Sequence, residues 1–461
     1  MSILDTKVLA ARAVGGLARR SGRGGTSLPG KLLVALDSRA IERLAARLPR
    51  GSVVISATNG KTTTATMAAA VLQRAGIPLV HNRAGANMAG GVASALLMAA
   101  RRGERMAGEL GCFEVDEFWL DRVVPELDPR AVLLGNLFRD QLDRYGELET
   151  IADRWADSVA GLPPEASLVL NADDPLIADL GRQRPAVSYY GIEDPAMAVA
   201  EMQHASDSKH CRRCGAAYAY SEIYLGHLGH YHCPSCGQVR PTPSVTARGI
   251  SLHGTRSASF LLRAPAGEAE VRLPLPGLYN VYNALGAAAL CLALGVDLAT
   301  VAAGLEAVTA AFGRAETIRI GSAELQILLV KNPAGANEIL RTLALEPGEL
   351  DLLAILNDRI ADGRDVSWIW DADFELLTSH IGSVTCAGTR AAELALRLKY
   401  AGVPEDRIAV VDELAGALDK ALADSRDSRL FVLPTYTALL ELRHELAGRG
   451  HAGHFWETEA P

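Results

Sequence analysis

No apolar run approaches the roughly 18 residues that a membrane-spanning helix needs, so no such helix is expected. A surplus of positive charge is also missing: 46 Lys and Arg stand against 54 Asp and Glu, for a net charge of -8. Phosphate backbones demand a basic surface, so nucleic-acid binding is not expected. Seven cysteines, four of them clustered, are too few for a disulfide scaffold and suit a reducing cytoplasm with one metal site. There is no internal repeat or low-complexity linker. The N-terminus lacks the ordered basic, apolar and cleavage regions of a signal peptide. Lys7, Arg12, Arg19, Arg20 and Arg23, scattered among small apolar residues, predict instead an amphipathic helix packed on the body. Peripheral contact with an anionic membrane surface is the other reading of that helix.

What is present is an ordinary globular composition, 49% hydrophobic and 22% charged, over 461 residues. Strands are predicted at 51–56, 131–134 and 167–170 and a helix at 62–75, an alternation that argues for a parallel α/β sheet. The alternation breaks over 205–245, where Cys, His, Gly and Tyr crowd together. A β-rich stretch to 275 and a helix over 280–294 follow. A second series has strands at 325–330, 352–356, 383–387, 408–411 and 430–433. The expected division is an N-terminal segment (1–45), a central α/β domain (46–316) with an insertion (205–245), and a C-terminal Rossmann-like α/β domain (317–461).

The clearest chemical signal is Ala57-Thr-Asn59-Gly60-Lys61-Thr62-Thr63-Thr64, between a predicted strand and a predicted helix. A helix N-terminus offers backbone N–H groups and a favourable dipole to a phosphate. Gly60 permits close approach, Lys61 places a cation on the terminal phosphates, and Thr62 offers a hydroxyl to magnesium. Asn59 and Thr63 complete the nucleotide-binding set. As a phosphate clamp, Lys61 is expected to contribute little to the core. The second signal is Cys211-Arg-Arg-Cys214 and Cys233-Pro-Ser-Cys236, with 18 residues between the pairs and a glycine just after each. Two such knuckles complete a tetrahedral structural zinc site with no open position for a catalytic water. His210 and His232 stand beside the knuckles and are not expected to be ligands.

The form TNGKT resembles the loop of Mur ligases and folylpolyglutamate synthases. Glu114-Val-Asp-Glu117 resembles the Mur segment whose glutamate holds a catalytic magnesium, which implies that role for Glu114. The stretches 136–146 (NLFRDQLDRYG) and 171–175 (NADDP) resemble further Mur motifs. Gly277-Leu-Tyr-Asn-Val-Tyr-Asn283 resembles the segment whose second Asn contacts adenine, here Asn283. Gly313-Arg314-Ala-Glu316 resembles the end of the central domain, with Arg314 on the nucleotide. There are departures. The loop begins at residue 57, leaving no room before it for a nucleotide-sugar domain. Gln141 replaces a magnesium-binding His, no lysine lies in 151–157, and Lys331-Asn-Pro-Ala-Gly-Ala-Asn337 replaces an acidic segment. One tightly held magnesium rather than two is the expectation.

These departures, together with 361–375, 387–403 and 433–443, are similar to the MurT family. That resemblance implies a Mur-ligase-type central domain with an inserted four-cysteine zinc ribbon. It also implies ATP, Mg2+ and Zn2+ as cofactors. The implied reaction is ATP-dependent amidation of the D-glutamate α-carboxyl of lipid II to D-isoglutamine through an acyl phosphate. Ammonia would come from a GatD-like glutamine amidotransferase subunit. The residues agree that the glutaminase lies elsewhere: Cys112, Cys291 and Cys386 sit in apolar surroundings, not on the sharp turn that a nucleophile needs. MurT proteins carry in the region 357–368 an Asp thought to complete the partner's Cys–His pair. Asp365 is the preferred residue, since Val366 and Trp368 could anchor the loop, and Asp362 is the second choice. The rival readings are a stand-alone ligase adding a free amino acid and a nucleotide-bound scaffold without turnover.

Overall fold

Ser52–Ser56, buried throughout, forms β1, as expected of a strand covered on both faces. The computed structural model describes residues 3–20, 27–82, 86–101, 104–140, 148–202, 206–309, 314–425 and 429–453. Five more parallel strands join β1: β2 (Leu79–His81), β3 (Leu110–Glu114), β4 (Ala131–Leu134), β5 (Ser167–Asn171) and β6 (Val187–Ile192). Next in the chain, β7 (Ala219–Leu225) and β8 (Leu228–His232) make a separate hairpin. Then β9 (Val245–His253) pairs parallel to β6, and β10 (Ser257–Ala264) and β11 (Gly267–Leu273) extend the sheet antiparallel. The nine-stranded order is β11-β10-β9-β6-β5-β4-β1-β3-β2. Helices cover both faces. Met67, Val71 and Leu72 of Lys61–Arg74 pack on one side with Leu278–Ala293, and Leu44, Leu96 and Trp155 pack on the other.

A second sheet takes β12 (Arg314–Ile320), β13 (Ala323–Leu328), β14 (Leu350–Ile355), β15 (Ile381–Ala387), β16 (Ile408–Val410) and β17 (Arg429–Pro434). Its order is β12-β13-β17-β14-β15-β16, parallel except for β12. The two sheets are latched by the β9–β10 turn. Thr255 donates its N–H and its hydroxyl to buried Glu346 Oε1 at 2.6 and 2.8 Å, and Arg429 Nη1 reaches Glu346 Oε2 at 2.9 Å.

The N-terminal helix Ile3–Arg20 lays Leu4, Val8 and Ala11 on the body. Arg12 donates to the carbonyls of Leu97, Met98 and Ala100 at 2.5–3.0 Å, at the C-terminal end of Ala89–Ala99, where the helix dipole favours a cation. Among the described residues no helix is long and apolar enough to cross a membrane.

Candidate active site

β1 ends at Ser56, and the chain turns through 57–60 into the helix Lys61–Arg74. Gly60 makes the turn at φ 84°, and a Cβ there would stand 2.0 Å from Asn283 Oδ1, so the position demands glycine. The loop is stitched to the end of β4. Thr58 N–H donates to Asn136 O and Asn59 N–H to Asn136 Oδ1, both at 2.9 Å, and Asn136 Nδ2 returns to Asn59 O at 3.0 Å. A stiff turn thus sits at the carboxyl edge of the sheet, where open α/β sheets bind ligands. Asn283 braces it from below: its Oδ1 accepts from Thr64 Oγ1 at 3.2 Å and its Nδ2 donates to Asn280 Oδ1 at 3.0 Å. Its contact with adenine stays an implication of the resemblance.

Lys61 is buried, and its Nζ donates to Ala57 O at 3.1 Å and to Glu117 Oε2 at 2.7 Å. Burial disfavours the ammonium, but Glu117, Asp116 and Glu114 outweigh it and hold its pKa above the ordinary lysine value. Glu117 is the mirror case. Burial pushes its carboxyl up, yet Lys61 and Lys331 outweigh that and leave it below the ordinary range. At Asp116 burial wins and the pKa is raised. The expectation that Lys61 matters little to folding is corrected here, because its side chain neutralises a buried carboxylate.

Glu114 ends β3 and is buried; Asn87 Nδ2 donates to its Oε1 at 3.1 Å. Asn82 clamps its backbone, accepting from Glu114 N–H at 2.9 Å and donating to Glu114 O at 2.7 Å. The C-terminal domain reaches the same loop through Lys331, which pairs with Asp140, and through Asn332. Four carboxylates, Glu114, Asp116, Glu117 and Asp140, thus share the site with two ammonium groups, Lys61 and Lys331. Carboxylates and a hydroxyl are the hard oxygen donors that magnesium takes, and Glu114 and Thr62 are the residues that would hold it. Gln141 lies outside the described residues, as does the side chain of Arg314, which opens β12. Sequence reasoning missed Glu117, Asp116, Asp140 and Asn136 as site residues. The available signal was Lys61 itself, because a lysine seldom becomes buried without a carboxylate partner.

The three acids after β14 separate by their surroundings. Asp358 Oδ1 accepts from Thr389 Oγ1 at 2.7 Å and its Oδ2 from Arg390 Nε at 2.8 Å. Asp362 is buried, and both its oxygens are taken by the N–H and hydroxyl of Thr437, which pins the loop near the Gly363 turn. Asp365 is exposed; Ser367 N–H donates to its Oδ1 at 2.8 Å, and the bonds from Ser367 hold its carboxyl below the ordinary range. Val366 and Trp368, partly buried, pack on the core beside it.

The four cysteine Sγ atoms of 211, 214, 233 and 236 lie within 4.8 Å of one another, with Cys211–Cys236 at 3.5 Å and Cys214–Cys233 at 3.4 Å. A tetrahedron of thiolates at about 2.3 Å from zinc has edges of about 3.8 Å, so the donor set and its size fit that ion. The two knuckles are built alike. Gly215 and Gly237 take φ of 77° and 74°, and each N–H returns to the carbonyl of the first cysteine of its pair, at 2.7 and 3.2 Å. His210 and His232 are exposed. Around the knuckles only a small apolar cluster forms, Cys211, Tyr218, Tyr231 and Cys233 with Ala178 of the body, so a bound metal would contribute much of the order there. We expect one zinc per chain by elemental analysis. Cys211→Ser should strip amide-exchange protection from 210–239 while both sheets keep theirs; a zinc-free chain with a fully protected ribbon would contradict this.

These sheets and this phosphate loop define a Mur-ligase-type chain. Residues 55–233 match the Mur ligase middle domain and 329–439 the MurT ligase C-terminal domain. The MurT subunit of lipid II isoglutaminyl synthase (glutamine-hydrolyzing) from Streptococcus pneumoniae (strain ATCC BAA-255 / R6) is 34% identical over 96% of each chain. Its counterpart from Staphylococcus aureus (strain N315) is 35% identical over 93% of this chain and 94% of its own. Among solved structures, a pseudomurein peptide ligase type C from Methanothermus fervidus has a TM-score of 0.67 at 24% identity, covering 87% of this chain and 79% of that one. MurF ligase from Thermotoga maritima in complex with ADP has 0.62 at 14%, covering 90% and 85%. The chain belongs to the MurT family.

Proposed function

We propose that this chain is the amide-forming subunit of a lipid II isoglutaminyl synthase. A carboxylate oxygen of the D-glutamate residue in the lipid II stem attacks the γ-phosphorus of ATP, the β–γ bridging P–O bond breaks, and ADP leaves. The nitrogen lone pair of ammonia then attacks the acyl carbon, the C–O bond to phosphate breaks, and the proton shed by nitrogen passes to the departing phosphate or solvent. Magnesium, when bound by Glu114 and Thr62, supplies charge neutralisation at the phosphates. Lys61 aims an ammonium at the phosphoryl group, and Glu117 keeps it charged and in place. Asn59, Gly60 and Thr63 shape the cradle, with Asn283 and Arg314 on the nucleoside side.

The observation that carries the reading is the carboxylate-flanked phosphate loop in a chain whose three remaining cysteines cannot act as glutaminase nucleophiles. Cys112, Cys291 and Cys386 are all buried; burial pushes Cys112 and Cys386 up to about 12 and Cys291 well above the ordinary thiol value. A buried thiol with so little thiolate is inert. Ammonia therefore comes from a second, GatD-like glutaminase subunit, and Asp365 is the acid that this chain presents to the partner's histidine. The four clustered thiols of the ribbon, Cys211 and Cys233 buried and Cys214 and Cys236 exposed, carry structural zinc. The test compares acceptors: with lipid II and ATP, ammonium chloride should support ADP release and amide formation. A free amino acid joined to the stem would favour a stand-alone ligase, and no ADP release with any acceptor a scaffold.

A further inference from the structure

Two ammonium groups bond successive carbonyls of the phosphate loop. Lys61 Nζ meets Ala57 O at 3.1 Å, and Lys331 Nζ meets Thr58 O at 3.1 Å. Their situations differ. Lys61 is buried and belongs to the loop's own helix, whereas Lys331 arrives from the C-terminal domain with its side chain 27% exposed. Its neighbour Asn332 donates Nδ2 to Asn59 Oδ1 at 3.0 Å and caps the helix Pro333–Leu343, so two consecutive residues of one domain grip two consecutive residues of the other's loop. Lys331 is held by Asp140 Oδ2 at 2.6 Å, and Asp140 is half-buried, with its Oδ1 shielded from solvent and lacking any hydrogen-bond partner. Buried carboxylate oxygens are seldom left so unless something bound at the site completes them. The domains do not need this bridge for attachment, since Thr255, Glu346 and Arg429 already latch them at the opposite end of β13 and β17.

We propose that Lys331 is a catalytic cation delivered across the domain boundary, with Asp140 as its positioning residue. This deepens the amide-ligase reading and rests on it. In phosphoryl transfer from ATP to a carboxylate, charge spreads over the oxygens of the transferring group, and preorganised cations there lower the barrier. Lys61 is tied to Glu117 and serves the nucleotide side. Lys331, partly exposed and held by one carboxylate oxygen, swings its ammonium from Thr58 O onto the transferring phosphoryl group and stays on the acyl phosphate until ammonia displaces phosphate. The contact of the C-terminal domain with the phosphate loop is then a condition for chemistry.

The test uses the full chain with lipid II, ATP, magnesium and ammonium chloride, so that the glutaminase is bypassed. Wild-type turnover comes first: its absence would sink the ligase reading and leave Lys331 out of the question. Given wild-type turnover, Lys331→Gln is expected to lower kcat about 100-fold while KM for ATP changes less than about threefold. Lys331→Arg, which keeps the charge, should come back to within about tenfold of wild type. A kcat loss of less than about threefold in Lys331→Gln overturns the proposal, and so does a loss confined to KM for ATP. An Arg variant no better than Gln, with an equally lowered Tm, would reduce Lys331 to a brace between domains and also overturn it. Should Lys331→Gln fail to fold, Asp140→Asn decides: kcat about tenfold lower at unchanged KM for ATP supports the pair, and unchanged kcat overturns it.

Discussion

Lys61→Ala is expected to abolish ATP-dependent amidation and also to destabilise the fold by about 3–5 kcal/mol at neutral pH, because it strands Glu117 as a buried, unpaired carboxylate. The pH dependence has a definite sign. In the wild type the Glu117 pKa is depressed, so its contribution is present above the ordinary glutamate pKa and is lost as pH falls through the folded value. The raised Lys61 pKa contributes below the ordinary lysine value and is lost only far into the alkaline range. Without Lys61 the burial of Glu117 loses its main compensation, so folding at high pH must bury a poorly paired carboxylate or take up a proton, a cost that shrinks as the pH falls. The Tm deficit of Lys61→Ala against wild type should therefore be larger at pH 8 than at pH 5. Lys61→Ala/Glu117→Gln should regain at least half the lost stability and none of the activity. Equal deficits at both pH values would show that the pair is not the cause.

Asp365→Asn should leave the complex assembled and ATP bound, keep ammonium-driven amidation, and lower glutamine-driven amidation by about 10⁴-fold. A glutaminase histidine needs a carboxylate to fix its tautomer and to stabilise the imidazolium formed on thiol activation, and an amide fixes the wrong one. Of the three acids in the loop, Asp365 alone is exposed; Asp362 spends both oxygens on Thr437, and Asp358 is engaged by Thr389 and Arg390. Asp362→Asn should act differently, loosening the loop and lowering Tm, with both nitrogen sources affected alike. Normal glutamine-driven activity in Asp365→Asn would remove this residue from the triad.

How much of this was legible in the sequence depended on how local the physics was. The strand–loop–helix at 52–74 could be read because buried strands, turn glycines and helix starts are written in neighbouring residues, and the predicted helix 62–75 is displaced by only one residue. The cysteine knuckles were legible for the same reason. Asp362 could not be read as a buried residue, since its partner Thr437 is 75 residues away. The approach of Lys331 to Thr58, across 273 residues, was equally hidden, and KNPAGAN read only as a departure from an acidic segment. Lys61 misled in one respect. Its motif announced phosphate chemistry, but nothing adjacent announced that Glu117 makes it part of the buried structure as well.

The most direct measurement follows labelled nitrogen. The purified chain alone, given lipid II, ATP and magnesium, should incorporate nitrogen-15 from ammonium chloride at the D-glutamate α-carboxyl, one atom for each ADP released. It should incorporate none from amide-labelled glutamine until a glutaminase subunit is added. Label entering from glutamine with this chain alone, or ADP release from lipid II and ammonium without any label in the stem peptide, would contradict the account.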